Sequence, residues 1–139
     1  MLQCKKVAKL VGIDYGTKRV GVAVSDESGS IAFPRTTYAN DSTLIPMLVT
    51  LIRNERAAVV IIGESKDKDG KDNPVMAAAR HLGSDLEQAV AVAVHYEPEF
   101  YTSVEARRLP AQAGGVPSNA VDAQAAAIIL NSYIVRTKK

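Results

Sequence analysis

Six consecutive apolar residues, Ala57 to Ile62, followed directly by Gly63, constrain the fold more than any other feature of this sequence. A strand with one face in water alternates apolar and polar residues, whereas a continuous apolar run is typical of a strand that is covered on both faces. Such strands lie in parallel sheets with helices on both sides. The run is also far shorter than the roughly 20 residues of a membrane-spanning helix.

The flanking segments extend this pattern into an α/β fold. Residues 15–18 are a short link of the kind that joins two antiparallel strands. Pro34 predicts an edge strand or a bulge, and Pro46 fits a helix only in its first turn. The predicted strands are 7–14, 19–25, 31–37, 59–63 and 91–96, and the predicted helices are about 44–52, 74–87, 102–109 and 119–135. This order predicts a mixed five-stranded sheet, three antiparallel strands and then two parallel ones, with helices on both faces.

The length and composition predict one domain, residues 1–139. The chain is 47% hydrophobic, which is enough to form a core at this length. Cys4 is the single cysteine, so a disulfide-stabilised miniprotein is excluded. The N-terminus lacks the apolar core of a signal peptide, so we expect a cytoplasmic protein. A net charge of +2 does not by itself indicate a nucleic-acid-binding protein.

Asp122 is the only charged residue between Leu109 and Val135. It is in register with the apolar stripe of the predicted last helix, so its carboxylate is expected on the packed face. A carboxylate in that position must be paired, protonated or bound to a metal ion, because burying it alone costs several kcal/mol. The alternative is an acid in the first turn that points to solvent and is favoured by the helix dipole.

Asp14 ends the first predicted strand and begins a tight turn through Gly16. Ligands of open sheets bind where strands end, and a glycine allows close approach of a phosphate. Lys18 and Arg19 follow at once and could contact phosphate oxygens. An ordinary turn aspartate would have the same local sequence.

Glu97 and Glu99 follow the predicted strand 91–96, so one of them should lie near the same sheet edge as Asp14. Carboxylates that converge at one edge form an oxygen site suited to Mg²⁺ or Mn²⁺. Such ions activate water and stabilise the leaving oxygen in phosphodiester cleavage. The residues alone do not decide between the two glutamates.

Residues 11–26, which read Val-Gly-Ile-Asp-Tyr-Gly-Thr-Lys-Arg-Val-Gly-Val-Ala-Val-Ser-Asp, closely resemble the opening motif of the YqgF (RuvX-like) family. The similarity continues through 59–63, the Asp-Gly loop at 69–70, 99–106 and 121–123. Members of this family are named Holliday junction resolvases or pre-16S rRNA nucleases. The resemblance implies an RNase H-like fold and a metal-dependent nuclease with three catalytic, metal-binding acids, which are Asp14, Glu99 and Asp122.

The resemblance also implies the cofactor and partners. We expect Mg²⁺ or Mn²⁺ at the three acids, and contacts from Lys18 and Arg19 to the nucleic-acid backbone. The expected partners are structured RNA, branched DNA or the ribosome precursor, with no membrane. A monomer and a homodimer are both open, since a junction resolvase needs two active sites to cut two strands symmetrically.

Two other functions remain open from the sequence. The segment Pro98-Glu99-Phe100 replaces the Asp-Glu-Arg usual in the family, and no basic run precedes Asp122. These departures favour a nucleic-acid-binding module without strong catalysis. The stretch 12–17 also resembles the phosphate loop of actin-like and sugar-kinase ATPases, but those proteins close two such domains over the nucleotide and 139 residues supply one.

Overall fold

A computed structural model describes residues 9–64, 75–98 and 118–137 of the chain. The five strands are β1 (Lys9–Tyr15), β2 (Arg19–Ser25), β3 (Ala32–Ala39), β4 (Ala57–Glu64) and β5 (Ala93–Pro98). The helices of the described ranges are α1 (Leu44–Glu55), α2 (Val75–Val90) and α3 (Ser118–Thr137). The predicted helix 102–109 lies outside the described residues.

The strands form one sheet in the order β3-β2-β1-β4-β5. β1 pairs antiparallel with β2, and β2 pairs antiparallel with β3. β4 is parallel to β1 on one side and to β5 on the other. The predicted mixed sheet is therefore confirmed. Pro34 lies on the edge strand β3 beside a shift in register, as its presence predicts.

The continuous apolar run forms the strand that is buried on both sides. Val60 and Ile62 face a core made with α1 and α2, whereas Ile61 faces a second core made with α3. All three side chains are fully buried. The run is continuous because β4 lies near the middle of a sheet with a helix layer on each face.

The boundary between α2 and β5 differs from the prediction. The helix continues to Val90, three residues beyond the predicted end at Glu87. Ala91 then adopts a left-handed conformation with φ of 54°, and its N–H bonds to the carbonyl of Glu87. Alanine is not a usual residue for this helix-ending conformation, so no residue type at this position marks the end of the helix.

Two glycines allow α3 to lie directly on the sheet. A Cβ atom at Gly12 of β1 would come within 2.8 Å of the Leu130 Cβ and 2.9 Å of the Ala126 carbonyl oxygen. A Cβ atom at Gly21 of β2 would overlap the backbone carbonyl of Asp122. The position of α3, and with it the position of Asp122, therefore depends on the absence of side chains at these two residues.

We expect Gly21→Ala to lower the free energy of unfolding by about 3 kcal/mol or more, because the added methyl meets backbone that cannot rotate away. Urea denaturation checks this. Ala58→Val, a similar enlargement at an exposed position of β4, should change stability by less than about 0.5 kcal/mol. Equal stabilities of Gly21→Ala and the wild type would contradict the close packing of α3 on β2.

An ion-pair cluster links β1, β3 and the end of α1. The Glu55 carboxylate accepts a 2.7 Å hydrogen bond from Lys9 Nζ and lies 3.5 Å from Arg35 Nε. The hydrogen bond from Lys9 is the main reason that the pKa of Glu55 is lowered below 4.5. A lowered carboxyl pKa contributes stability that is complete above the unfolded-state pKa and is lost as the pH falls through the folded-state pKa.

Acidification from about pH 6 to about pH 3 should therefore destabilise the wild type more than Glu55→Gln, by about 0.5–1 kcal/mol for a pair of this exposure. Urea unfolding at both pH values gives the difference. Glu27→Gln, at an exposed residue, is the matched control and should follow the wild type. Parallel pH profiles for Glu55→Gln and the wild type would contradict a stabilising role for the cluster.

Candidate active site

Asp14 lies at the carboxyl end of β1 on the face that α3 covers. Side chains alternate along a strand, and Val11 and Ile13 belong to the core made with α1 and α2. Gly12 and Asp14 therefore face the other way, which agrees with the contact between Gly12 and α3. The Asp14 side chain is partly buried.

Asp122 lies in the N-terminal part of α3, and its side chain is turned toward the sheet. Its side chain is 13% exposed, and Oδ2 accepts a 2.7 Å hydrogen bond from Arg19 Nε. A solvent-directed acid of a first helical turn would be far more exposed, so the helix-dipole alternative does not describe this residue.

The sheet register brings Asp14 and Asp122 together. Asp14 is the direct cross-strand partner of Gly21, and paired residues of antiparallel strands point to the same face. The backbone of Asp122 rests on Gly21. Neighbouring strands are about 4.8 Å apart. The two acids, more than a hundred residues apart in sequence, therefore lie beside the same glycine on the α3 face of the sheet.

Arg19 and Lys18 border this site in different ways. Arg19 is the first residue of β2, and its side chain is 43% exposed although it is paired with Asp122. Lys18 is exposed in the β1–β2 turn. Asn40 holds this turn by donating from Nδ2 to the Gly16 carbonyl (2.7 Å) and from its backbone N–H to the Lys18 carbonyl (3.0 Å). Arg19 therefore contacts one of the acids directly, and Lys18 precedes it in the anchored turn.

Glu97 does not join the two acids. Its carboxylate is 3% exposed and accepts hydrogen bonds from Ser132 Oγ at 2.8 Å and from Arg136 Nε and Nη2 at 2.9 and 2.6 Å. Ser132 comes ten residues after Asp122, which corresponds to about 15 Å along a helix. Glu97 therefore attaches the second half of α3 to β5. Glu99, the other candidate, lies outside the described residues.

The sequence predicts Glu97 only as a site or loop acid, so this anchor was not foreseen. A usable signal was present, since Ser132 and Arg136 are four residues apart and so lie on one face of the helix. Arg136 is also stacked over Tyr133, at 5.7 Å from the guanidinium carbon to the ring centre. Tyr133 in turn stacks on His95 of β5 with a centroid distance of 5.9 Å.

The two described acids fit part of a divalent-metal site. Asp14 and Asp122 supply carboxylate oxygens, the ligands that Mg²⁺ and Mn²⁺ prefer. Within residues 9–64, 75–98 and 118–137, no group of three His, Cys, Asp or Glu side chains could hold a metal ion. A third carboxylate ligand would come from outside these ranges, where Glu99 lies.

This sheet order, with carboxylates at the end of the first strand and on the last helix, defines the RNase H-like class of fold. The model of the RuvX family, described as Holliday junction resolvase, matches residues 8–136. The chain therefore belongs to the RuvX family.

Curated relatives that match this chain carry the name "Putative pre-16S rRNA nuclease". The relative from Nitratidesulfovibrio vulgaris is 36% identical over 131 residues, covering 91% of this chain and 92% of that protein. The relative from Maridesulfovibrio salexigens is 33% identical over 136 residues, covering 92% of this chain and 98% of that protein.

Solved structures agree on the fold. T. thermophilus RuvC in complex with a Holliday junction substrate superposes with a TM-score of 0.59 at 15% identity, covering 94% of this chain and 96% of that chain. Fowlpox virus resolvase with its junction DNA gives a TM-score of 0.60 at 10% identity, covering 94% and 99%. The expected RNase H-like fold is confirmed. Separately, none of the helices in the described ranges is long and apolar enough to cross a membrane.

We expect Glu97→Gln to lower the free energy of unfolding by about 1–3 kcal/mol, because it removes the negative charge that accepts hydrogen bonds from Arg136 and Ser132. Urea denaturation measures the loss, with Glu27→Gln again as the exposed control. If Glu97→Gln is as stable as the wild type, the contacts of Glu97 with α3 do not stabilise the fold.

Proposed function

We propose that this protein is a divalent-metal-dependent nuclease that hydrolyses phosphodiester bonds in structured nucleic acid. The observation that carries the proposal is the placement of Asp14 and Asp122 on one face of the sheet, at the end of β1. Membership of the RuvX family supports it. In this proposal residues 1–139 form a single nuclease domain.

In the proposed site Asp14, Glu99 and Asp122 hold Mg²⁺ or Mn²⁺. The metal would supply Lewis-acid activation of water and stabilisation of the leaving oxygen. Asp14 is fixed by the hydrogen-bonded ladder of β1, and Asp122 is fixed because its backbone rests on Gly21. Both acids are thus on rigid elements, which favours precise placement of the ligands.

Lys18 and Arg19 are proposed to bind the nucleic-acid backbone. Lys18 is a flexible point charge at the turn, whereas a guanidinium bonds phosphate oxygens in a planar, bidentate geometry. Asn40 fixes the turn that carries Lys18 and leads into Arg19. Contacts of this kind position a substrate without reading its sequence, which suits recognition of a structured nucleic acid.

Two substrates follow from the names of the relatives. Precursor 16S rRNA is the first, because the curated relatives that cover nearly the whole chain are named for it. We accordingly propose a cytoplasmic protein that acts on the ribosome precursor. A four-way DNA junction is the second, since the family description and the RuvC complex concern it. Symmetric junction cleavage requires a homodimer, and trimming of an RNA end does not.

Asp14→Asn should reduce metal-dependent cleavage by about 100-fold or more, because it removes a negative oxygen ligand from the site. The assay follows cleavage of an end-labelled precursor 16S rRNA fragment and of a four-way DNA junction with Mg²⁺, Mn²⁺ or EDTA. Asp85→Asn is the control and should cleave like the wild type, because Asp85 is on α2, which packs on the face of the sheet opposite to α3.

Each outcome has a defined meaning. If Asp14→Asn cleaves as fast as the wild type, the assigned site is wrong. Salt-dependent RNA binding by the wild type without any cleavage would instead indicate a non-catalytic binding module. If a dimer cleaves the DNA junction and does not cleave the RNA, the activity of the protein is junction resolution.

A further inference from the structure

We infer that the Arg19 guanidinium and a divalent cation compete for the Asp122 carboxylate, so that Arg19 must leave Asp122 when a metal ion binds there. This inference rests on the proposed function, because it takes Asp122 as a metal ligand. It assigns Arg19 a second role beside phosphate binding, which is control of access to one of the acids.

Asp122 is the fixed partner of the pair. Its backbone lies against Gly21, and its side chain has only two rotatable bonds and is 13% exposed. The carboxylate therefore has little freedom to turn away from Arg19 toward another cation. A metal ion that uses this acid must approach it where it stands.

Arg19 is the partner that can move. Its side chain is 43% exposed and reaches Asp122 from the first residue of β2, through a long, flexible chain. The contact is a single hydrogen bond from Nε to Oδ2 at 2.7 Å. Breaking it moves a guanidinium into water, which costs less than withdrawing a largely covered carboxylate from the sheet.

Arg19 could instead stay on Asp122 and hold the carboxylate in position for the metal ion. The electrostatic repulsion between the guanidinium and the ion argues against this alternative. An orienting hydrogen bond to a metal ligand typically changes metal affinity by about 10- to 100-fold. A guanidinium that stayed on Oδ2 would lie only about 5 Å from a dication on the other carboxylate oxygen. Repulsion between a dication and a monocation is twice that between two single charges and is poorly screened in a partly buried site. The repulsion outweighs the benefit of orientation.

Competition couples the metal to the substrate. A phosphate that draws Arg19 away from Asp122 frees the carboxylate and raises the metal affinity. By thermodynamic reciprocity, a bound metal ion releases Arg19 and raises the phosphate affinity by the same factor. Arg19 and Asp122 would thus favour a loaded site in which metal and nucleic acid are both present.

The test measures Mn²⁺ binding to the metal-stripped protein by isothermal titration calorimetry. Arg19→Ala should bind Mn²⁺ about tenfold more tightly than the wild type, within the usual range of coupling between sites. Lys18→Ala is the matched control, because it removes a neighbouring positive charge that is not paired with Asp122. Its Mn²⁺ affinity should change by less than about twofold, since exposed charges are screened.

Thermal unfolding provides a second readout. Without metal, Arg19→Ala should melt at a lower temperature than the wild type, because a largely covered carboxylate loses its partner. Saturating Mn²⁺ should raise its melting temperature by more than that of the wild type, since tighter binding stabilises more. Arg19→Lys keeps the positive charge and should resemble the wild type in both measurements.

The possible failures can be told apart. Unchanged or weaker Mn²⁺ binding by Arg19→Ala would overturn the competition while leaving the proposed metal site intact. Absence of Mn²⁺ binding by both the wild type and Arg19→Ala would overturn the inference and the proposed function together. If the gain in affinity persists when Asp122→Asn is added to Arg19→Ala, the ion binds elsewhere and the inference is wrong.

Discussion

The close approach of α3 to the sheet at two glycines is the constraint on which the candidate site depends. Gly12 and Gly21 carry no side chains, so the backbone of the helix lies against β1 and β2. This contact sets Asp122 over the cross-strand partner of Asp14. Two acids that are distant in sequence thereby come to one place, and the geometry is fixed by backbone rather than by side-chain packing.

A second attachment holds the other end of the same helix. The buried Glu97 carboxylate of β5 accepts hydrogen bonds from Ser132 and Arg136, so α3 is attached to the sheet near both of its ends. A helix held by backbone contact at one end and by an ion pair at the other cannot slide along the sheet without breaking one of them. This rigidity suits a site whose chemistry needs fixed carboxylates.

The sequence predicted the fold well because the strongest signal, the run through Val60 and Ile62, is a signal of burial on both faces. The sequence also predicted that the Asp122 side chain lies on the packed face of its helix, because it is a single acid within an apolar segment. The ion pair between Asp122 and Arg19 could not be predicted, because two residues a hundred positions apart have no local pattern that links them. The role of Glu97 was missed although Ser132 and Arg136 share one helix face, because nothing in the sequence shows that this face lies against β5.

An anomalous diffraction experiment on crystals soaked in Mn²⁺ tests the central claim most directly. We predict a peak within bonding distance, about 2.2 Å, of carboxylate oxygens from both Asp14 and Asp122, with the Arg19 guanidinium moved away from Asp122. A peak that contacts only one of these acids, or full Mn²⁺ occupancy at another place with the Arg19–Asp122 pair unbroken, would contradict a shared metal site.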